Sequence, residues 1–331
     1  MNHAKRNIAI VCGGDSSEHD VSLRSAQGLY ASFDKKRYNV YLLEIRGTEW
    51  KVELDGGIAV PVDLNDFSFT SSDGKKTHFD YAYITIHGTP GENGLLQGYL
   101  DLMRIPYSTS GVLQEAMTFD KFVLNQYLRA YGVSVADSML IRSGYEELVS
   151  DDEIEQRIGM PCFVKPAADG SSFGVSKVKN KDQLAPAIRK AIMESPEVMV
   201  EAMLEGTEIT QGCYKTKEKT VVLPITEVVT QNEFFDYDAK YNGQVQEITP
   251  ARISKETAER VSKITSHIYD ILHCNGIIRI DYIISPEGKI SMLEVNTTPG
   301  MTQTSFIPQQ VRAAGLSLQD ILTEIVENQF A

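Results

Sequence analysis

Residues 277–302 constrain the fold of this chain more than any other stretch. Two strand-like runs, Ile277–Ser285 and Ile290–Asn296, flank Pro286-Glu287-Gly288-Lys289, and a short turn centred on Glu-Gly suits a tight antiparallel hairpin. With the turn centred there, Ser285 opposes Ile290, Asp281 opposes Glu294 and Arg279 opposes Asn296. Side chains alternate along a strand with period two, so these polar groups share one face, while Ile278, Ile280, Tyr282, Leu293 and Val295 share the other. Opposed side chains have Cβ atoms roughly 4.5–5.5 Å apart. Asp281, Glu294 and Asn296 are therefore within reach of shared hard cations, and oxygen donors of this kind suit Mg²⁺, which keeps several waters and is completed by phosphates. A polar face on an antiparallel pair is ordinarily the wet side of a sheet. What points instead to a ligand is the turn-rich continuation Thr297-Thr298-Pro299-Gly300-Met301-Thr302, whose backbone N–H groups can face an anion.

A chain of 331 residues exceeds what one core usually serves, so two or three domains are expected. With 32 basic and 45 acidic residues the net charge is −13, which disfavours nucleic acid and anionic membranes as partners. Lys35-Lys36-Arg37 and Lys75-Lys76 are too short to overturn this. Cysteines 12, 162, 213 and 274 show no C-x-x-C spacing, so neither a zinc site nor a disulfide framework is indicated, and reduced thiols fit a cytoplasmic setting. The apolar run Ile8–Cys12 is shorter than the core of a signal peptide, and no stretch approaches membrane-spanning length.

The first third reads as α/β. Ile8–Cys12 forms a buried strand, Gly13-Gly14 breaks it, and Ser16 or Ser17 caps a helix carrying Ala26, Leu29, Tyr30 and Phe33 at helical spacing. Tyr38–Glu44 and Tyr81–Ile86 are further strands, and the order strand, glycine turn, helix predicts a doubly wound sheet with a ligand site at the strand ends. Neither G-x-G-x-x-G nor a Walker A lysine motif occurs there. Glu18 and His87 follow two of these strands; a helix-start carboxylate and a loop histidine are the plain structural alternatives. Loop signals at 106–111 mark a boundary. Beyond it come a helix capped by Thr118, a strand at Pro161–Lys165, a glycine-containing loop at Pro166–Gly174 suited to a flap over phosphates, and a strand at Val175–Val178. Lys165 supplies a point charge beside that flap. Asp182 begins a helix with Leu184, Ala187, Ile188 and Ala191 on one face. Met199–Leu204 reads as a strand ending at a Glu205-Gly206 hinge, and Glu201 and Glu208 fall where two sheets meet. The stretch Gln231–Thr249, polar and aromatic with little periodicity, is long enough to be a lid. Ser254 caps a helix to about Leu272 with Val261, Ile264, Ile268 and Leu272 as its core stripe.

In order, these motifs resemble those of the D-alanine–D-alanine ligases of the ATP-grasp superfamily. The resemblance runs from Gly13-Gly14-Asp15-Ser16-Ser17-Glu18-His19 through His87-Gly88-Thr89-Pro90-Gly91-Glu92-Asn93-Gly94, Asp120-Lys121, Val164-Lys165-Pro166, Gly170-Ser171-Ser172-Phe173-Gly174 and Tyr237-Asp238-Ala239-Lys240-Tyr241 to Glu294–Thr302. Departures are Asn93, Phe173 and Phe306, where the family usually has Asp, Val or Ile, and Leu. The resemblance implies an α/β, overall α+β, fold of three domains: a doubly wound α/β domain over residues 1–112 with the first substrate site, a central ATP-grasp domain over 113–204, and a C-terminal one over 205–331 with the lid and metal site. ATP then lies between the sheets of the last two. By the same resemblance Lys121, Lys165 and Lys240 contact phosphates, Glu201, Leu204 and Phe234 line the nucleotide site, Glu208 meets the ribose, and Asp281, Glu294 and Asn296 hold two Mg²⁺, with Mn²⁺ as a substitute. Glu18 holds the first D-alanine, Ser171 and Tyr241 link it to the lid, His87 sits nearby, Arg279 and the Gly300 N–H stabilise an oxyanion, and Ser305 with Phe306 binds the second carboxylate. A cytoplasmic homodimer is implied by the family. The rivals are an ATP-grasp ligase of D-lactate or another acceptor, and a non-catalytic sensor, which need not keep three metal ligands and every phosphate lysine.

Overall fold

In the computed structural model, which describes residues 4–168, 174–230 and 245–331, three sheets carry the chain. The first begins with β1 (Arg6–Gly13), followed by α1 (His19–Ser32), β2 (Tyr38–Arg46), β3 (Glu49–Leu54), β4 (Ile58–Asp63), β5 (Ser68–Thr70), β6 (Lys76–His78), β7 (Tyr81–Ile84) and α2 (Leu95–Met103). Its strand order is β6-β5-β4-β3-β2-β1-β7. Only β2, β1 and β7 run parallel; β3 to β6 are an antiparallel extension that the sequence reading did not anticipate. A parallel strand covered on both faces must be apolar on both. In β1, accordingly, Ile8, Ile10 and Cys12 face one core and Ala9 and Val11 another. The loops leaving β1 and β7 emerge side by side at the carboxyl end of this parallel centre, where ligand sites form in open α/β sheets.

Neither Ser16 nor Ser17 caps α1. Glu18 holds the N-cap position, and Ser16 Oγ accepts the Glu18 N–H at 3.2 Å and donates to the His87 carbonyl at 2.7 Å. The hydroxyl thus ties the two ligand-side loops together instead of starting the helix. A similar shift occurs after α3 (Val112–Phe119). Thr118 lies inside this helix, its hydroxyl bonded back to Gln114 and Glu115, and the cap of α4 (Lys121–Ala130) is Asp120, which accepts the Val123 N–H at 2.9 Å.

The second sheet is formed by β8 (Ser138–Arg142), β9 (Cys162–Pro166), β10 (Ser176–Val178) and β11 (Glu197–Ala202) in the order β10-β9-β11-β8. Helices α5 (Asp151–Ile158) and α6 (Leu184–Ile192) cover one face, burying Cys162, Val164, Val198 and Val200 against Leu184, Ala187, Ile188 and Ala191. The alternate residues Phe163, Lys165, Met199 and Glu201 are left on the other face.

The third sheet contains β12 (Thr207–Lys215), β13 (Thr220–Val222), β14 (Thr226–Thr230), β15 (Val245–Ile248), β16 (Ile277–Ile284) and β17 (Ile290–Asn296). Val245–Ile248, read from sequence as the end of the lid, is an edge strand paired with β14. Helix α7 (Lys255–Ile271), capped by Ser254, packs under one face together with Leu124 and Leu128 of α4. Helices α8 (Phe306–Ala313) and α9 (Leu318–Asn328) reach back to the first sheet, placing Ile307, Val311, Ile321 and Val326 in the same core as Ile8 and Ile10.

The hairpin register holds at one end and shifts at the other. Arg279 faces Asn296 and Asp281 faces Glu294, but Tyr282 faces Met292 and Ile284 faces Ile290, because a bulge follows Asp281. The extra residue is Leu293, which is only half-buried, while Met292 takes the core position. A bulge adds one residue to one strand and leaves it unpaired, so a constant sum of residue numbers cannot run through it.

Between the second and third sheets the chain passes through residues 203–206. Gly206 has φ +148°, and a Cβ there would stand 2.0 Å from the Ile284 carbonyl oxygen. Gly206→Ala should therefore cost a few kcal/mol and lower the apparent Tm by several degrees, whereas Gly56→Ala, also at positive φ but in open space, should cost about 1 kcal/mol. Thermal denaturation of the two variants checks this; equal losses would show that the close approach to Ile284 does not matter.

Candidate active site

The polar face of the third sheet is a set of rows running across three strands. One row is Thr210, Asp281 and Glu294; the next is Gly212, Arg279 and Asn296. Arg279 grips Asp281 with a two-pronged contact, Nε to Oδ1 and Nη2 to Oδ2, both 2.9 Å, the geometry in which a planar guanidinium matches a carboxylate best. Thr210 Oγ1 donates to Asp281 Oδ1 at 2.5 Å, and Asn296 Nδ2 donates to Asp281 Oδ2 at 3.2 Å and Glu294 Oε1 at 3.3 Å. Glu294 stands 3.8 Å from Arg279. Burial alone would lower the Arg279 pKa, but Asp281 and Glu294 outweigh it and the guanidinium is held above its ordinary value. Glu208, one row further along β12, has its carboxyl pushed up to about 8, chiefly by burial and then by Asp281 and Glu294. Three carboxyls around one arginine leave this face short of positive charge. Among the described residues no group of three or more His, Cys, Asp or Glu side chains gathers as a metal cluster. The donors on offer are two carboxylates and one amide, a sparse set that fits Mg²⁺ because that ion retains waters and takes phosphate oxygens.

On the second sheet, Lys165 Nζ lies 2.5 Å from Glu201 Oε2, and Asn125 Nδ2 of α4 donates to Glu201 Oε1 at 3.1 Å. Both charged groups are largely buried, so removing either partner would leave an uncompensated charge. Lys121, at the start of α4, bonds through its backbone to the Ala167 carbonyl just after β9. Leu204 lies half-buried in the 203–206 connection, between the Glu201 end of one sheet and the Glu208 end of the other.

The first sheet adds a third group. His87 is buried, and its Nε2 has no hydrogen-bond partner among the described residues; Glu18 is half-buried, and its backbone N–H is linked through the Ser16 hydroxyl to the His87 carbonyl. The segment after β17 docks here: Thr298 donates to the Ile86 carbonyl and to Glu92 Oε1 at 2.7 Å, and the Met301 N–H reaches Ser25. Gly300 and Ser305 pack together, a Cβ on Gly300 meeting Ser305 Oγ at 2.9 Å. Ser305 is the N-cap residue of α8, and its hydroxyl is turned to Thr302 at 2.7 Å. The Phe306 ring lies over Arg279, 5.3 Å from Cζ to centre, an aromatic–guanidinium contact that a Leu in this place could not make. Ser171, Phe234, Lys240 and Tyr241 lie outside the described residues.

Family models for the D-ala D-ala ligase N-terminus and C-terminus match residues 7–110 and 127–327. The chain belongs to the D-alanine–D-alanine ligase family. A D-alanine–D-alanine ligase of Bacteroides fragilis strain YCH46 is 64% identical over 326 residues, covering 98% of this chain and 100% of that one. Among solved structures, the VanG D-Ala:D-Ser ligase of Enterococcus faecalis superposes with a TM-score of 0.88 at 30% identity, covering 98% of this chain and 99% of that one. A D-alanine–D-alanine ligase of Bacillus anthracis complexed with ATP superposes with a TM-score of 0.76 at 27% identity, covering 98% and 97%. The architecture of the chain is ATP-grasp, as expected from its motifs.

Several residues that hold this family site in place escaped the sequence reading. Thr210 and Asn125 sit on elements remote in sequence from the groups they hold, and only register could have revealed them. Glu115 of α3 is fully buried, with Oε2 accepting the Thr297 hydroxyl at 2.5 Å. Burial holds its carboxyl well above the ordinary range, with Glu92 adding to the effect. A raised folded-state pKa favours the protonated acid: the stabilisation is complete below the unfolded carboxylate range and fades as pH rises toward the folded value. Glu115→Gln, which keeps an acceptor for Thr297 and carries no charge, should match the wild type near pH 5 and exceed it in Tm at pH 8 to 9. Parallel pH dependence of the two melting curves would count against this.

Proposed function

We infer that the chain joins two D-alanines to D-alanyl-D-alanine for peptidoglycan precursor synthesis, with ATP converted to ADP and phosphate through an acyl phosphate. The observation that carries this reading is the Asp281–Glu294 row, flanked by Arg279 and Asn296 and clamped by Thr210. Phosphate and carboxylate oxygens repel one another, so positive groups must neutralise them before phosphoryl transfer. We assign two Mg²⁺ to Asp281, Glu294 and Asn296, with Mn²⁺ able to replace them; when bound, they supply that neutralisation. Lys121, Lys165 and Lys240 meet phosphates, Glu201 and Leu204 the adenine, Phe234 the nucleotide site, and Glu208 the ribose. Glu18 holds the ammonium of the first D-alanine near His87, with Ser171 and Tyr241 closing from the flap and lid. Ser305 and Phe306 receive the second carboxylate. Arg279 and the Gly300 N–H stabilise the tetrahedral oxyanion formed when the second amine attacks, and a closed lid keeps water from the acyl phosphate.

The proposed division of labour follows the domains at 1–112, 113–204 and 205–331. Cytoplasmic residence is supported by four free cysteines, three of them buried; among the described residues no helix is long and apolar enough to cross a membrane. The family likeness implies a homodimer, and Leu95, Leu102, Val112 and Leu113 of α2 and α3 expose an apolar face that such pairing would cover. Leu102→Glu with Leu113→Glu should then shift the particle toward monomer in light scattering; an unchanged mass removes this face from the interface.

Phosphate release with ATP, Mg²⁺ and D-alanine, with L-alanine as control, tests the activity, and D-lactate or D-serine in the same assay separates the acceptor rivals. Glu294→Gln should lower turnover at least about a hundredfold, since it removes a charge from the metal row. Near wild-type turnover would take Glu294 out of that role.

A further inference from the structure

Helix α8 rests on the third sheet through two side chains one turn apart. Phe306 lies over Arg279, and Gln310, four residues on, is fully buried with its amide set into β12. Gln310 Oε1 accepts the Gly212 N–H at 2.8 Å, and Nε2 donates to the Thr210 carbonyl and the Thr226 hydroxyl, both at 3.1 Å. The reason lies in the sheet. On this side β12 pairs with β14 over Glu208–Thr210 and with β13 over Cys213–Lys215, and the neighbouring chain breaks away between the two. A primary amide carries the same donor and acceptor as a peptide, so the Gln310 side chain fills the interrupted rung. Gly212 permits it: a Cβ there would stand 2.5 Å from Ile307 Cδ1 and 2.9 Å from Gln310 Oε1, so the helix sits directly on the strand backbone.

The two ends of this contact belong to different parts of the site. Thr210, whose carbonyl Gln310 holds, is the residue whose hydroxyl fixes Asp281. Ser305 and Phe306, at the start of the same helix, are the assigned seat of the second D-alanine carboxylate. We propose that Gln310 is a positioning residue that fixes the second D-alanine subsite relative to the Asp281–Glu294 row. The inference rests on the ligase reading above. The attacking amine must reach the acyl carbon in register, and a small displacement of the helix that holds its carboxylate is enough to lose that geometry. Without the amide, the Gly212 N–H is left buried and unpaired on this side, the Thr210 carbonyl keeps only its pairing with Thr226, and α8 loses its second anchor.

Steady-state phosphate release against D-alanine at saturating ATP resolves the constants for the two D-alanines. Gln310→Met, close in volume but unable to make the three bonds, should raise the KM for the second D-alanine roughly tenfold while changing the KM for ATP and for the first D-alanine less than about twofold. Gln211→Met is the control. Gln211 lies on the same strand but the opposite face, where it donates to Leu223 and Ser262 and accepts from Thr265, so this variant should lose comparable thermal stability without the kinetic split. Thr226→Val takes away one of the three bonds and should show the same split at smaller size, which keeps the test informative if Gln310→Met does not fold. Constants that stay unchanged or fall together in the Gln310 and Thr226 variants, or a Gln211→Met variant that reproduces the split, would overturn the inference while leaving the ligase reading intact. A wild type that releases no phosphate with D-alanine would overturn both.

Discussion

The paired hydrogen bonds between Arg279 and Asp281 are the contact on which the rest of the site depends. They lie within one strand, two residues apart, yet hold only because neighbouring strands supply the remaining partners: Thr210 from β12 and Asn296 from β17. Gathering Asp281, Glu294 and Glu208 on one sheet face would be unfavourable without a buried cation, and Arg279 answers part of that charge. It does so at a fixed position, backed by the Phe306 ring. A guanidinium so held cannot follow a mobile ligand, which suits the proposed role of Arg279 in meeting charge as it develops in a transition state.

Two sheets offering polar faces on either side of a four-residue connection explain how one nucleotide can be gripped along its length. Lys165 and Glu201 lie on the smaller sheet and Glu208 on the first strand of the larger one, with the half-buried Leu204 between them. Each sheet buries its opposite face under its own helices, so each has a rigid backing. The Thr297–Met301 segment then couples the larger sheet to the loop after β7 through Thr298 and Glu92, and to α1 through Ser25. The proposed metal row, oxyanion donors and first-substrate loop are thereby joined by hydrogen bonds between the first and third sheets.

The legible parts of this arrangement were those in which spacing along the chain equals position in space. Asp281 and Glu294 fall opposite one another because a hairpin obeys a simple count near the site, and the alternation of Ile278, Ile280 and Tyr282 fixed which face was core. The count failed beyond Asp281, where Leu293 adds a residue, since a bulge leaves no mark in the pattern of apolar residues. Caps were misassigned for a related reason: Ser16 and Thr118 have the right chemistry for an N-cap, but their hydroxyls have other backbone partners within reach. Thr210, Asn125 and Gln310 were invisible because their partners lie 71, 76 and at least 84 residues away, on neighbouring elements. The glycine in the middle of β12 was the one local sign that something packs close to the strand.

The polar face also resists its own charge. Every acidic group on the polar face of the third sheet either has a fixed partner, as Asp281 does with Arg279 and Thr210, or is pushed toward its neutral form, as Glu208 is. Glu115, behind the face, is pushed toward its neutral form by burial, with Glu92 adding to the effect. Part of the negative charge on this face is therefore offset within the chain itself. In the proposed reading, cations and phosphates would meet carboxylates whose positions the backbone has already set, so little reorganisation would be left when the substrates meet.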